Sequence, residues 1–214
     1  MLQLSSKSVA IIVAHPDDEI LWAGGSILSN PLWKCFIVCL CRKNDSDRAP
    51  RFLKSLEALR SEGIMGDLDD GPDQVPLDVR IVGRAILKLL PAKHYDLVVT
   101  HSFGGEYTRH VRHEEVGKAV IHLWETGKIS ASELWAFAYE DGKQSYFPKP
   151  IETGTLYFPL SQEVWLEKYR LITETYGFDT QSWEAQTTPH AEAFYKYTDP
   201  MKAKESIKVD DDSV

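Results

Sequence analysis

Three observations predict an α/β fold, Rossmann-like and doubly wound, in which helices cover both faces of a mainly parallel sheet. Short apolar runs at 9–13, 34–41 and 95–100 have the length and composition of buried strands. Each is followed by a segment whose apolar residues recur at helical spacing, which implies right-handed βαβ units. The chain has 214 residues and is 43% hydrophobic, enough for one sizeable core and short for two, so a single domain is expected.

The first strand, Val9-Ala10-Ile11-Ile12-Val13, leads into a helix marked by Ile20, Leu21, Ile27 and Leu28, with Gly24-Gly25 allowing close approach to the sheet. Lys34 to Cys41 is the second strand, and a period of two places Cys35, Cys39 and Cys41 on one face. That spacing fits buried thiols better than a soft-metal site or a disulfide framework. A polar loop, 42–49, precedes a helix that Pro50 opens, Phe52, Leu56 and Leu59 line, and Gly63 stops. Residues 66–75 are polar and turn-rich and read as a surface loop. Pro76 then opens a third helix with Ile81, Val82, Ala85, Ile86 and Leu89 inward.

Tyr95 to Thr100 is the next strand. Beyond the loop 101–109 comes a helix with Val116, Ala119, Val120 and Leu123 inward, and Glu133 to Tyr139 is a fourth strand. After Asp141 the pattern loosens into a short strand at Thr155 to Phe158 and a helix from Ser161 to Tyr176 with Trp165, Tyr169 and Ile172 inward. An irregular stretch follows, expected to cap the sheet or shape a pocket. The domain spans 1–205, and the acidic segment 206–214 lacks apolar residues to bury and reads as a disordered tail.

Charge narrows the choice of partner. The chain carries 24 basic against 32 acidic residues, a net charge of −8, with no long cationic stripe, which argues against nucleic acid and anionic membrane. No apolar run approaches the roughly 18 residues of a membrane span, and no basic region with an apolar signal core stands at the N-terminus. A cytoplasmic protein is the reading, and an odd number of cysteines fits a reducing compartment. Oligomeric state leaves no mark in the sequence, so a homo-oligomer stays open.

Chemistry concentrates at two strand tips. Ala14-His15-Pro16-Asp17-Asp18-Glu19 follows the first strand, where ligands bind in open α/β sheets. A turn needs one capping Asp, and the second Asp and the His are surplus to that need. The loop after Thr100 ends in His110-Val111-Arg112-His113, two imidazoles three residues apart at a helix start. Together the clusters offer His15, Asp18 and His113 as ligands of a tetrahedral zinc with one open position, the arrangement of hydrolytic sites. Zinc brings the pKa of a bound water from about 15.7 to roughly 7. Asp17 is left to take a proton from that water, and His110 to stabilise an oxyanion or protonate the departing amine. Fe²⁺, Co²⁺ or Ni²⁺ also suit the donor set.

These motifs resemble those of the PIG-L/LmbE-like family of zinc-dependent N-deacetylases, through His15 to Glu19, the continuation Ile20-Leu21-x-Ala23-Gly24-Gly25, and His110-x-x-His113. The resemblance covers most of the first 125 residues. It implies the same roles: His15, Asp18 and His113 hold the metal, Asp17 is the general base, and His110 assists the tetrahedral intermediate. It also implies Arg51 as a substrate contact. The chain departs from the family at Arg112, where many relatives have Asp or Asn, and at Lys54, where they have Glu.

The function that follows is removal of an acyl group, acetyl first, from a small-molecule amino sugar or amino-sugar conjugate. Deacylation of a non-sugar amide and a non-catalytic nucleotide- or sugar-binding module are the alternatives, the latter weakened by the lack of Gly-x-Gly-x-x-Gly. Outside the motifs, His101 reads as a hydrogen-bonded structural residue and Trp22 as helix packing, with a sugar platform as the sharper reading.

Overall fold

The computed structural model describes residues 6–73 and 75–211. In chain order the elements are β1 (Lys7–Val13), α1 (Asp18–Ser29), β2 (Trp33–Cys41), α2 (Arg48–Ala58), β3 (Glu62–Leu68), α3 (Val79–Leu89) and β4 (His94–Thr100). Then come α4 (Val111–Glu125), β5 (Ser130–Phe137), β6 (Tyr139–Glu140), β7 (Lys149–Pro150), β8 (Leu156–Pro159), α5 (Gln162–Arg170), α6 (Trp183–Thr187), β9 (Ala191–Tyr197) and α7 (Pro200–Asp211).

Seven strands form one sheet in the order β3-β2-β1-β4-β5-β9-β8. The first five are parallel, and β9 and β8 add antiparallel to that edge. Strand β1 shows why the sheet is covered on both sides. Val9, Ile11 and Val13 join one buried cluster with α1 and α2, while Ala10 and Ile12 join another with α3 and α4. Strand order reverses between β1 and β4, so the crevice beyond their carboxyl ends is the topological switch point.

Several sequence expectations change here. Cys35 and Cys39 lie in one cluster but Cys41 in the other, because the β2–β3 register shifts between Cys39 and Cys41 and turns the chain over. Gly63 does not stop α2, which ends before Arg60 in a left-handed conformation at φ 50°. Gly63 and Gly66 belong to β3 instead, a strand that overlaps the start of the surface loop expected at 66–75. A Cβ at either would sit 2.6 Å from the Ile37 carbonyl oxygen or 2.8 Å from that of Leu40, so this edge strand admits only glycine there. Ile81 faces out, 42% exposed, whereas Val82 and Ile86 are buried.

Gly25 approaches the sheet at Glu192 of β9 and Leu160 just after β8, and Gly24 approaches Lys168 of α5. The predicted helix over 161–176 changes to a π-helical turn, Leu171–Thr175, after α5, and its buried member at the α5 end is Lys168, with Trp165 and Tyr169 only half buried. The irregular stretch beyond it contains α6 and β9. Helix α7 runs through Asp211, and the last residues of the acidic segment, 212–214, lie outside the described residues.

Candidate active site

Both motifs meet at the switch point. His15 to Asp18 follow β1, and His110 and His113 stand at the N-terminus of α4 beyond β4. Asp17 precedes α1 at φ 112°, a conformation costly for any residue with a side chain, and its carboxylate makes no cap to the helix. It accepts instead from Arg48 of α2 at 2.9 Å. The Asp that a turn would use as a cap is thus turned outward into a cleft.

Three atoms close a nearly equilateral triangle. His15 Nδ1 lies 3.2 Å from His113 Nε2 and 3.4 Å from Asp18 Oδ2, and His113 Nε2 lies 3.3 Å from the same Asp18 oxygen. Donors about 2.0–2.1 Å from a tetrahedral ion stand roughly 3.3–3.4 Å apart, so these residues fit such an ion. The Asp18 carboxylate is ionised: burial alone would raise its pKa, but His113 and His101 facing it hold it well below the usual range. Its other oxygen accepts from Trp22 Nε1 at 3.0 Å, and Trp22 is fully buried, which makes it a support of Asp18 and rules it out as a sugar platform.

Each imidazole is anchored on its far side. His15 Nε2 lies 3.1 Å from Asp70 Oδ1, and Asp70 pairs with Arg42 at 2.7 Å. His113 Nδ1 and His101 Nδ1 both reach Glu106 Oε2, at 2.6 and 2.9 Å. His101 also accepts the Ala14 N–H at Nε2, 3.0 Å away. With one nitrogen on Glu106 and the other on the backbone, His101 has no lone pair left for an ion, although it stacks on His113.

His110 stacks on His113 at 4.3 Å between ring centroids, and its Nδ1 is buried with no hydrogen-bond partner among the described residues. Burial, then the neighbouring His113 and His15, lower its pKa to about 3, so the ring is neutral. Burial, reinforced by Asp18, drives the Asp17 pKa well up, against the pull of Arg48. Glu19 is fully buried, accepts the Asp17 N–H and the hydroxyls of Ser55 and Tyr176, and burial raises its pKa to about 7.

The cleft holds about 310 Å³, lined by His15, Asp17, Asp18, Arg48, His110 and Trp183 among others. Arg51 is not part of the lining. Its guanidinium is engaged by Asp47 and the Tyr176 carbonyl, and Arg48, one turn earlier, faces the cleft in its place. Arg112, at the position where the family pattern departs, is fully buried and donates to the Asp69 and Val75 carbonyls and to Glu115. It ties the loop after β3 to α4 and leaves His110 alone. Sequence reasoning missed Asp70, Glu106 and Arg48, and the one local sign was an acidic residue, Glu106, set between two histidine-bearing segments.

No protein-family model matches the chain. A curated relative, an uncharacterized protein of Acanthamoeba polyphaga mimivirus, is 23% identical over 146 residues, and the chain spans 61% of that protein's length. Among solved structures, the N,N'-diacetylchitobiose deacetylase of Pyrococcus horikoshii superposes with a TM-score of 0.66 at 16% identity, covering 92% of this chain and 88% of that one. The chain has the fold of the LmbE/PIG-L-type deacetylases. The A40926 pseudoaglycone deacetylase Dbv21 gives a TM-score of 0.59 at 14% identity, over 90% of this chain and 98% of that one. A 4-carboxy-2-hydroxymuconate hydratase, GalB of Pseudomonas putida, gives 0.61 at 17%, over 89% and 95%. One fold therefore carries more than one reaction, and the side chains in the cleft decide.

Proposed function

We propose that the chain is a metal-dependent hydrolase that removes an N-acetyl group from an amino sugar or amino-sugar conjugate. The triangle of His15 Nδ1, Asp18 Oδ2 and His113 Nε2 carries this reading. These three atoms would hold zinc, and the same donors suit Fe²⁺, Co²⁺ or Ni²⁺. The ion supplies a Lewis acid for the amide carbonyl and acidifies the attacking water.

The remaining groups divide the proton work. Asp17, whose pKa burial raises well above the usual carboxylate range and whose carboxylate Arg48 steadies, takes the proton of the attacking water. His110, neutral, lining the cleft and stacked on His113, donates to the carbonyl oxygen as it gains charge. Glu106 and Asp70 fix the rotation and tautomer of His113 and His15. The fold shared with a diacetylchitobiose deacetylase and a pseudoaglycone deacetylase supports an amino-sugar substrate. Three free, buried thiols support a cytoplasmic setting.

Acetate release from N-acetylglucosamine or its glycosides tests the proposal. Asp17→Asn is expected to keep its metal and lose about 10²-fold or more in rate. Unchanged turnover in that variant overturns the assigned base.

A further inference from the structure

We propose that an aromatic trough beside the cleft binds a neutral, ring-bearing aglycone of the amino sugar, a reading that rests on the deacetylase assignment above. Three cavities of about 310, 490 and 590 Å³ adjoin one another. Tyr107 and Trp183 wall both the first and the second, and Tyr146, Phe147 and Pro148 wall both the second and the third. The path leads from His110 to the outer side of β7.

Aromatic rings on this path are left open to solvent. Tyr146 is 38% exposed, Phe147 41% and Tyr157 37%, a cluster of large apolar side chains along one trough rather than scattered over the surface. The trough is also held in place. The Asp141 carboxylate accepts from both the N–H and the hydroxyl of Thr108 at 2.7 Å, and Gln144 Nε2 donates to the Thr108 carbonyl at 2.6 Å. The turn that presents Tyr146 is thereby fastened two residues from His110. Gly142, Lys143 and Gln144 all have positive φ, and a Cβ at Gly142 would lie 2.3 Å from the Tyr146 ring. Consecutive residues in that conformation persist where surrounding contacts enforce them, which is common at ligand sites.

Charge and composition select the ligand. The second cavity carries Asp141 and no cation, and in the third Lys149 is offset by Glu152 and sits over the Tyr146 ring at 4.7 Å. With a net charge of −8 on the chain, a phosphate-linked aglycone is disfavoured. Polar edges at Thr108 and Ser145 give way outward to prolines and aromatic faces, which suit a flat, uncharged ring stacked on Tyr146 or Phe147.

The probes are p-nitrophenyl N-acetylglucosaminides of both anomers, free N-acetylglucosamine and N-acetylglucosamine 1-phosphate, compared by kcat/KM for acetate release and by calorimetric Kd. At least one aryl glycoside is expected to exceed the free sugar about tenfold in both measures, with the phosphate no better than the free sugar. In the Tyr146→Ala/Phe147→Ala variant that ratio is expected to fall to within about threefold of unity. Phe147→Ser alone moves it the same way and, at an exposed position, keeps the test available if the double variant misfolds. Aryl glycosides that bind no better than the free sugar, a phosphate that binds better than they do, or a ratio unmoved by the substitutions overturn the trough. Trough-dependent aryl binding with no acetate release from any probe leaves the trough standing and overturns the deacetylase reading.

Discussion

The Oε2 of Glu106 lies 2.6 Å from Nδ1 of His113, with both side chains out of contact with solvent. A carboxylate that accepts a hydrogen bond from Nδ1–H keeps the proton on that nitrogen and leaves the Nε2 lone pair free, and Nε2 is the nitrogen 3.3 Å from Asp18. Burial would raise the Glu106 pKa, but His101 and His113 outweigh it and hold it at about 2, so the carboxylate is charged throughout the useful pH range.

Glu106→Gln therefore loosens both the tautomer and the orientation of His113. Metal affinity is expected to fall about 10–100-fold, read by competition with a chromophoric chelator. An affinity equal to that of the wild type contradicts the orienting role.

Arg112 concerns folding rather than catalysis. Its guanidinium is fully buried and makes three hydrogen bonds, two of them to carbonyls of the loop after β3. Arg112→Met is expected to cost about 2–4 kcal/mol in urea unfolding, and Arg112→Lys recovers little, because one ammonium cannot reach three acceptors set for a planar fork.

A second buried pair predicts an order of effects. Lys168 Nζ lies 2.6 Å from Glu192 Oε1, and Glu192 also accepts the N–H groups of Gly25 and Ser26 and the Ser26 hydroxyl. Glu192→Leu strands an ammonium and two helix N–H groups, with an expected loss of about 3–5 kcal/mol. Lys168→Met leaves Glu192 with three donors, so its loss is smaller. Equal or reversed losses in thermal unfolding refute this account.

Glu133 supplies a pH signature away from the cleft. Burial pushes its pKa up, but hydrogen bonds from Lys196 and Lys7 outweigh this, and the folded value lies below the ordinary 4.5. A carboxylate with a depressed folded pKa contributes stability above its unfolded value and loses it as pH falls through the folded one. The two lysines are about one-third exposed, which limits the contribution. Glu133→Gln is expected to lower stability by about 1 kcal/mol at pH 7 and to match the wild type once the pH has fallen below the folded pKa of Glu133. A gap that persists in acid points to packing instead.

Legibility in the sequence followed the strength of local signals. Strands β1, β2 and β4 are continuous apolar runs buried on both faces, and they were readable as such. Strand β3 was not, because Glu62, Gly63, Gly66 and Asp67 give an edge strand the composition of a loop. Strand β9 hides for a similar reason, with Glu192 buried against α1 near the start of a short segment. In the site, the motif residues His15, Asp17, Asp18, His110 and His113 come together at one cleft. Their supports do not announce themselves, since Asp70 reaches His15 across 55 residues and Arg48 reaches Asp17 across 31. Arg51 went astray because two arginines one turn apart on α2 look alike in sequence, and only the packing decides which faces the cleft.

The triangle at His15, Asp18 and His113 is tested most directly by counting metal. Elemental analysis of the purified protein after dialysis and reloading with zinc is expected to give about one ion per chain, retained in Asp17→Asn and lost in His113→Ala. A wild-type protein that binds no ion, or a His113→Ala variant that binds it as tightly as the wild type, contradicts the account.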